Sequence, residues 1–187
     1  MSTRTFAISL LALLTFAAPV VGDEASADKT TIDAFLESDV VAKFHESAYG
    51  YAVFPTIGKG GIGVGAAHGG GRVYKGGKKT GDVTMSQISI GFQLGGQAYS
   101  QVIYFEDERA FKEFTSGQFE FGAQVEAIAI TYSAGAQAGS DGASASANST
   151  QTESKYYKGV IVFTMGKGGL MYQATLGGQQ YDYEALK

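Results

Sequence analysis

The sequence contains no cysteine, no tryptophan and only 2 prolines and 2 histidines among 187 residues. Without cysteine the chain cannot form disulfides, hold zinc through thiolates, use a thiol nucleophile or carry a lipid on a cysteine. With only His45 and His68 available, we predict no multi-histidine metal site and no other cofactor. The net charge of −4 argues against nucleic-acid binding through bulk positive charge.

Glycine is in excess, with 27 residues and no repeat at every third position, which excludes collagen. Hydrophobic residues make up 44% of the chain, enough to build a buried core. The length suits one domain of ordinary size. We therefore expect a single domain over residues 28–187, preceded by a targeting segment.

Residues 1–27 have the character of a secretory signal peptide. Arg4 supplies the positive start, and residues 6–18 form an apolar stretch shorter than the roughly 20 residues of a membrane-spanning helix. Cleavage is predicted after Gly22 or after Ala27, with an uncleaved anchor as the alternative. The sequence thus predicts a periplasmic or secreted protein.

Residues 28–48 show the spacing of an amphipathic helix, either one broken helix or two short ones with a break near Ser38. Apolar side chains recur at intervals of three and four. Such a stripe most often docks on the protein's own sheet. Its members are Ile32, Phe35, Leu36, Val40, Val41 and Phe44.

From residue 51 the pattern changes to short strands separated by glycine turns. Residues 51–54 form an apolar run that we expect Pro55 to end, and residues 85–94 alternate polar and apolar side chains, as in a half-buried antiparallel strand. Glycines inside strands indicate bends or close backbone contacts. We predict an α+β fold in which short N-terminal helices pack on a strongly curled, glycine-rich antiparallel sheet.

The second half of the chain contains one inserted helix and one flexible loop. Acidic residues open residues 106–116 and Gly117 closes them, which predicts a short helix. Strands are predicted over residues 125–132, 156–164 and 170–176. Residues 135–155 hold no large apolar side chain, so we predict a flexible loop.

No convincing enzymatic motif is present. Residues 58–63 match G-x-G-x-x-G, but a dinucleotide site needs a helix directly afterwards, and the glycine-rich residues that follow favour no helix. Residues 71–80 resemble a phosphate-binding loop with the wrong spacing, and no G-x-S-x-G elbow exists. We predict a non-enzymatic protein.

Positive charge is concentrated in one segment of this acidic chain. Residues 47–81 contain no acid and five bases, namely Lys59, Arg72, Lys75, Lys78 and Lys79. Bases near a membrane contribute on the order of 1 kcal/mol each toward anionic lipid. The alternative is a solvated hairpin tip that keeps the sheet edge from pairing.

Several ordered motifs resemble the SYLF domain family, a family of lipid-binding domains. These are GYAVFP at 50–55 with GKGG at 58–61, GxVY at 71–74, GxQxGGQxY at 91–99, and KGGLM at 167–171. The resemblance runs from about residue 40 to the end of the chain. It implies a lipid-binding module that prefers phosphoinositides in eukaryotic members and uses an amphipathic N-terminal segment together with basic residues.

On this chain the resemblance implies two sets of site residues. The membrane-inserting set is Phe35, Leu36, Val40 and Phe44, and the headgroup-binding set is Lys59, Arg72, Lys75, Lys78 and Lys79. For an exported bacterial protein the expected partner is anionic phospholipid on a membrane surface, with no nucleic acid and no identified protein partner. Fungal members also bundle actin, a role that an exported chain is not expected to share.

The alternative hypothesis is a structural or interaction protein of the cell envelope that binds an apolar ligand or a protein partner. The deciding observation is the position of Phe35, Leu36 and Phe44. Burial of these side chains on the sheet would disfavour insertion and support the alternative.

Overall fold

The computed structural model describes residues 21–62, 64–90, 97–121, 128–130, 154–167 and 178–187. Within these ranges the helices are α1 (Val21–Leu36), α2 (Asp39–Ser47) and α3 (Glu108–Phe114). The strands are β1 (Gly50–Ile62), β2 (Val64–Lys75), β3 (Lys78–Ile90), β4 (Gln97–Phe105), β5 (Gln118–Glu120), β6 (Ile128–Ile130), β7 (Val160–Lys167) and β8 (Gln179–Ala185).

The described strands form one eight-stranded sheet in the order β5-β8-β3-β2-β1-β4-β7-β6. Neighbouring strands pair antiparallel, except that β6 runs parallel to β7. The α+β class is thus confirmed, and so is the antiparallel character for seven of the strands.

The prediction of a strongly curled sheet is wrong, because the sheet is not strongly curled. Glycine serves close packing at Gly71, where an added Cβ would come within 2.6 Å of the Phe54 ring. Such a glycine makes room for a neighbouring side chain without requiring the strand to bend.

The two faces of the sheet carry separate hydrophobic cores because successive side chains of a strand point to opposite sides. The α1/α2 face is covered by the two N-terminal helices, and the α3 face by the inserted helix. In β1, Val53 belongs to the α1/α2 face, whereas Ala52 and Phe54 belong to the α3 face.

The helix predictions are confirmed, with a difference at the N-terminus. Residues 28–48 form two helices separated at Ser38, whose extended backbone (φ −89°, ψ 118°) precedes α2. Helix α1, however, begins at Val21 and so includes both predicted cleavage points. Helix α3 (Glu108–Phe114) lies within the predicted range 106–116, and its N-terminus is capped by the Asp107 carboxylate, which accepts a 2.8 Å hydrogen bond from the Ala110 amide.

The prediction that the first strand ends at Pro55 is wrong, because β1 continues to Ile62. The pairing with β4 shifts register between Phe54 and Ile57, and the pairing with β2 shifts between Val53 and Gly58. Pro55 lies within this irregularity, where the missing amide donor removes no ladder hydrogen bond.

Two further predictions concern regions that the structure describes little or not at all. The strand predicted over 170–176 lies outside the described residues. So does the flexible loop predicted over 135–155, apart from Ser154 and Lys155. Strand β8 was not predicted.

Candidate functional site

The β2–β3 hairpin ends in a tight turn flanked by lysines. Gly76 and Gly77 have positive φ values of 55° and 75°, which identifies a two-residue turn that glycine adopts without strain. Lys75 and Lys78 face each other across this turn, and Lys79 follows in β3. We refer to residues 75–79 as the basic tip.

The two glycines of the basic tip face open space, and its lysines differ in their surroundings. A Cβ added to Gly76 or Gly77 would meet no atom within 4 Å. The ammonium of Lys75 lies 4.4 Å from the centre of the Tyr49 ring, a cation–π contact. The Lys79 ammonium lies 2.7 Å from an Asp82 carboxylate oxygen, so its charge is partly offset, while Lys78 is exposed.

Lys59 and Arg72 do not belong to the basic tip. Lys59 pairs with Ala67 and Gln97, roughly 30 Å along the strands from Lys75 at about 3.3 Å per residue. Arg72 is buried and pairs with the protein's own Asp28. The five residues of the headgroup-binding set therefore do not lie on one surface.

Arg72 holds helix α1 against the sheet through Asp28, which precedes it by 44 residues. The Arg72 Nε donates a 2.7 Å hydrogen bond to Asp28 Oδ2, and Nη2 donates to Oδ1. The Tyr74 hydroxyl donates a third hydrogen bond, of 2.6 Å, to Oδ2. Both charged side chains are almost fully enclosed.

The surroundings of this pair favour charged Arg72 and neutral tyrosines. Burial opposes the charge of Arg72, but the hydrogen bond and the negative charge of Asp28 outweigh it and raise the pKa of Arg72. Burial, reinforced by Asp28, raises the pKa values of Tyr74 and Tyr51. The two tyrosine rings are stacked, with centroids 5.1 Å apart and an interplanar angle of 13°.

A cavity of about 250 Å³ lies beside the carboxylate of Asp28. Its lining combines apolar side chains of α1 with the stacked tyrosine pair and one lysine. The lining residues are Ala25, Asp28, Lys29, Ile32, Tyr51 and Tyr74.

The predicted membrane-inserting residues mostly pack on the sheet. Phe35 is 0% exposed, and Leu36 and Phe44 pack against the same core. The Phe44 ring contacts Phe163 at a centroid distance of 5.7 Å. Val40 is 41% exposed. In this arrangement Phe35 is not available to a bilayer, which supports the alternative hypothesis.

A buried polar cluster on the α3 face has no counterpart in the sequence predictions. Gln101 Nε2 donates a 2.7 Å hydrogen bond to the Tyr181 hydroxyl, which donates to Gln179 Oε1 at 2.5 Å. Gln101 also lies opposite Thr164 across β4 and β7. Within the described ranges, Gln101 Oε1 and Thr164 Oγ1 have no hydrogen-bond partner. In the sequence, the sign of this cluster is the presence of glutamine within segments that form strands.

The histidines occupy separate positions. His45 Nδ1 lies 3.3 Å from the Tyr104 hydroxyl, whereas His68 is exposed on β2. The described residues contain no group of three or more His, Cys, Asp or Glu side chains placed to hold a metal ion. Within the same ranges, no helix combines the length and apolar character needed to cross a bilayer.

Comparison with known proteins identifies similarity over most of the chain. Residues 86–182 match the family described as Ysc84, Las17-binding protein actin regulator. The chain is also 30% identical over 158 residues to beta cell expansion factor A of Aeromonas veronii. That alignment covers 83% of this chain and 53% of the relative, so the chain spans about half the length of this curated relative.

Proposed function

Because the chain belongs to the SYLF family, also called Ysc84, we propose that it is a non-enzymatic domain that binds anionic phospholipid through the basic tip. The observation that carries this proposal is the solvent-facing glycine turn with Lys75 and Lys78 on its two flanks. Lys79 adds a third charge that Asp82 partly offsets. Glycine amides at such a turn add donors for phosphate oxygens.

Three lysines give a contact of modest strength. Each contributes on the order of 1 kcal/mol near an anionic surface, and added salt screens the attraction. Stable association therefore needs a second, apolar contribution. Leu186 is 52% exposed and lies beside the tip, since its amide donates a 2.9 Å hydrogen bond to the Thr80 carbonyl.

The helices play no inserting role in this initial contact. Of the four predicted inserting residues, Val40 is the exposed one. Phe35 becomes available only if α1 leaves the sheet. The first contact in this proposal is electrostatic and involves the basic tip.

The proposed setting is the periplasm or the exterior of a bacterial cell, reached through the signal segment at 1–27. Cleavage after Gly22 or after Ala27 leaves Asp28 in the mature chain. N-terminal sequencing of protein recovered from the periplasm or medium tests this proposal. A chain that stays in the cytoplasm and begins at Met1 would contradict it.

Vesicle flotation tests the lipid contact. The wild-type protein should float with vesicles of phosphatidylcholine plus phosphatidylglycerol, less with phosphatidylcholine alone, and less again at high salt. Replacing Lys75, Lys78 and Lys79 together by Glu should reduce binding to the anionic vesicles at least tenfold.

A matched control carries the same three charge reversals away from the tip. Lys43, Lys59 and Lys155, replaced together by Glu, change the net charge equally, and none of them lies in residues 75–79. This variant should retain most of the binding. Equal losses in both variants would show that total charge, not the basic tip, governs binding.

The second candidate function is an interaction protein of the cell envelope. Burial of Phe35 favours it, and so do two exposed apolar side chains on neighbouring strands, Val64 of β2 (61% exposed) and Ile88 of β3 (77% exposed). A folded wild-type protein that floats with neither vesicle composition would favour this candidate over the lipid-binding proposal.

A further inference from the structure

The contact between α1 and β2 contains a buried charge pair within an apolar interface. Asp28 lies one helical turn before Ile32 and two turns before Phe35, so all three side chains lie on the same side of α1. A buried ion pair seldom stabilises a fold more than apolar residues of similar volume would. The pair therefore suggests a role beyond holding the helix.

The donors around Asp28 are those of an oxyanion site. A guanidinium presents two parallel N–H groups to one anion, and the Tyr74 hydroxyl adds a third donor. This arrangement suits the oxygens of a phosphate group as well as those of a carboxylate. In this structure the carboxylate of Asp28, a residue of the same chain, occupies the position of the anion.

The cavity provides an approach to this site. Asp28, Tyr74 and Tyr51 line it, and Lys29 adds a positive charge. Arg72 is not among the lining residues, and its Nε and Nη2 donate to the carboxylate of Asp28, which is among them. An anion that enters the cavity therefore reaches Arg72 only when Asp28 moves away.

We propose that Arg72 and Tyr74 form a phosphate-binding site that Asp28 occupies, so that an arriving phosphate group displaces Asp28 and releases helix α1 from strand β2. The inference rests on the proposed function, since lipid headgroups carry phosphate, but free phosphate offers the same chemistry. Arg72 lies three residues before Lys75 in β2, so its side chain lies on the opposite face of the sheet from Lys75, and phosphate reaches it from the cavity on the α1/α2 face.

Release of Asp28 loosens the apolar contacts that follow it in α1. Ile32 and Phe35 are buried against the α1/α2 face while the ion pair holds. Once Asp28 leaves Arg72, these side chains are held by packing alone. The pair thus acts as a latch that keeps the apolar side of α1 on the sheet until phosphate competes for Arg72.

The test combines amide hydrogen exchange of residues 28–36, which either cleavage leaves in the mature chain, with vesicle flotation. The variants are Asp28→Asn, which opens the latch and keeps Arg72, and Arg72→Gln, which opens it and removes the phosphate site. Asp33→Asn is the matched control, because Asp33 lies on the same helix but is exposed and pairs with Lys29. Tyr74→Phe removes one hydrogen-bond donor of the phosphate site, and it replaces Arg72→Gln in the test if that variant does not fold.

In the wild type, inorganic phosphate should speed exchange in α1 severalfold over chloride at equal ionic strength. Vesicles containing phosphatidylglycerol should also speed this exchange, and vesicles of phosphatidylcholine alone should not.

Asp28→Asn should show fast exchange without ligand and bind anionic vesicles severalfold more tightly than the wild type. Arg72→Gln should also exchange fast but gain no binding, and Tyr74→Phe should show a weaker phosphate response. Asp33→Asn should behave like the wild type.

The inference and the proposed function fail in different ways. If anionic vesicles bind the wild type but neither they nor phosphate changes exchange in α1, the latch is wrong and the lipid contact stands. If no vesicle binds but phosphate speeds exchange in an Arg72-dependent manner, the latch stands with a soluble phosphate ligand. The phosphate site would be overturned if Arg72→Gln bound anionic vesicles as tightly as Asp28→Asn does. It would also be overturned if Asp33→Asn bound them more tightly than the wild type.

Discussion

The ring of Phe54 in β1 lies directly over Gly71 in the neighbouring strand β2. A Cβ added to Gly71 would come within 2.6 Å of the ring and within 2.5 Å of the Val53 carbonyl oxygen. The next residue back along β2, Gly70, faces open space, with no atom within 4 Å of an added Cβ. Two adjacent glycines thus have different requirements for space.

We predict that Gly71→Ala lowers the free energy of unfolding by about 1–3 kcal/mol, the usual cost of overpacking a core. Gly70→Ala should leave it nearly unchanged. Urea unfolding followed by circular dichroism measures both variants. Equal stability of the two would contradict the close contact between Phe54 and β2.

The turn of the basic tip gives a second prediction, because Gly77 has a φ of 75°. Gly77→Ala should lower the free energy of unfolding by about 1–2 kcal/mol, since an L side chain is strained in this region. Gly58→Ala is the control, since its added Cβ also meets no atom but the residue is extended within β1. A thermal melt in which the Gly58 variant loses as much as the Gly77 variant would argue against the turn geometry.

The ion pair between Asp28 and Arg72 predicts a strong dependence of stability on either partner. Asp28→Ala should cost about 3–5 kcal/mol, because Arg72 is left buried without a counter-charge. The double variant Asp28→Leu, Arg72→Met should recover most of this loss, since it leaves no buried charge. Denaturant unfolding measures both. If the double variant were as unstable as Asp28→Ala, helix α1 would depend on the charges of the pair for its attachment to the sheet.

His45 predicts a pH effect. Partial burial lowers its pKa below the ordinary value of 6.5, and Glu46 only partly opposes this shift. The unfolded chain then binds the proton more readily than the folded one, so the His45 contribution is present above pH 6.5 and is lost as the pH falls below it. Stability of the wild type should thus fall more steeply between pH 7 and pH 5 than that of His45→Gln. Parallel curves in melts at a series of pH values would refute this role.

The buried polar cluster yields a prediction from Tyr181. Tyr181→Phe leaves Gln101 Nε2 and Gln179 Oε1 without their best partner and should cost about 1–3 kcal/mol. Tyr183→Phe removes a hydroxyl that donates to Thr80 in a half-buried position, so its cost should be smaller. If chemical unfolding ranks the two variants in the opposite order, the cluster does not stabilise the core as described.

Local patterns predicted the helices well, because each begins or ends at residues with local signals. Acidic residues and Gly117 predicted a helix over 106–116, which contains α3 (Glu108–Phe114), and the break at Ser38 separated α1 from α2. Strand β1 was predicted to end at Pro55, which is too short. The sequence does not show that Pro55 lies where the pairing of β1 shifts register with both neighbouring strands, β2 and β4. The predicted curl was wrong because spacing cannot distinguish a bend from a glycine that makes room for a ring.

The site was predicted only in part, for a reason of the same kind. The lysines of the basic tip are adjacent in sequence, so their grouping could be predicted. Arg72 belonged to the same run of charge, but its partner Asp28 lies 44 residues away, and no local pattern links them. Lys59 was grouped with the tip because sequence distance does not show that β1 runs to the far end of the sheet.

The two-residue turn between β2 and β3 also affects the entropy of association. A long flexible loop must give up many backbone conformations when it meets a partner, and this loss weakens binding. Gly76 and Gly77 form a turn fixed by the hairpin on both sides, so the backbone has already lost that freedom on folding. Within the tip, the side-chain torsions of the flanking lysines remain to be restricted, so loss of backbone entropy offsets little of their electrostatic attraction.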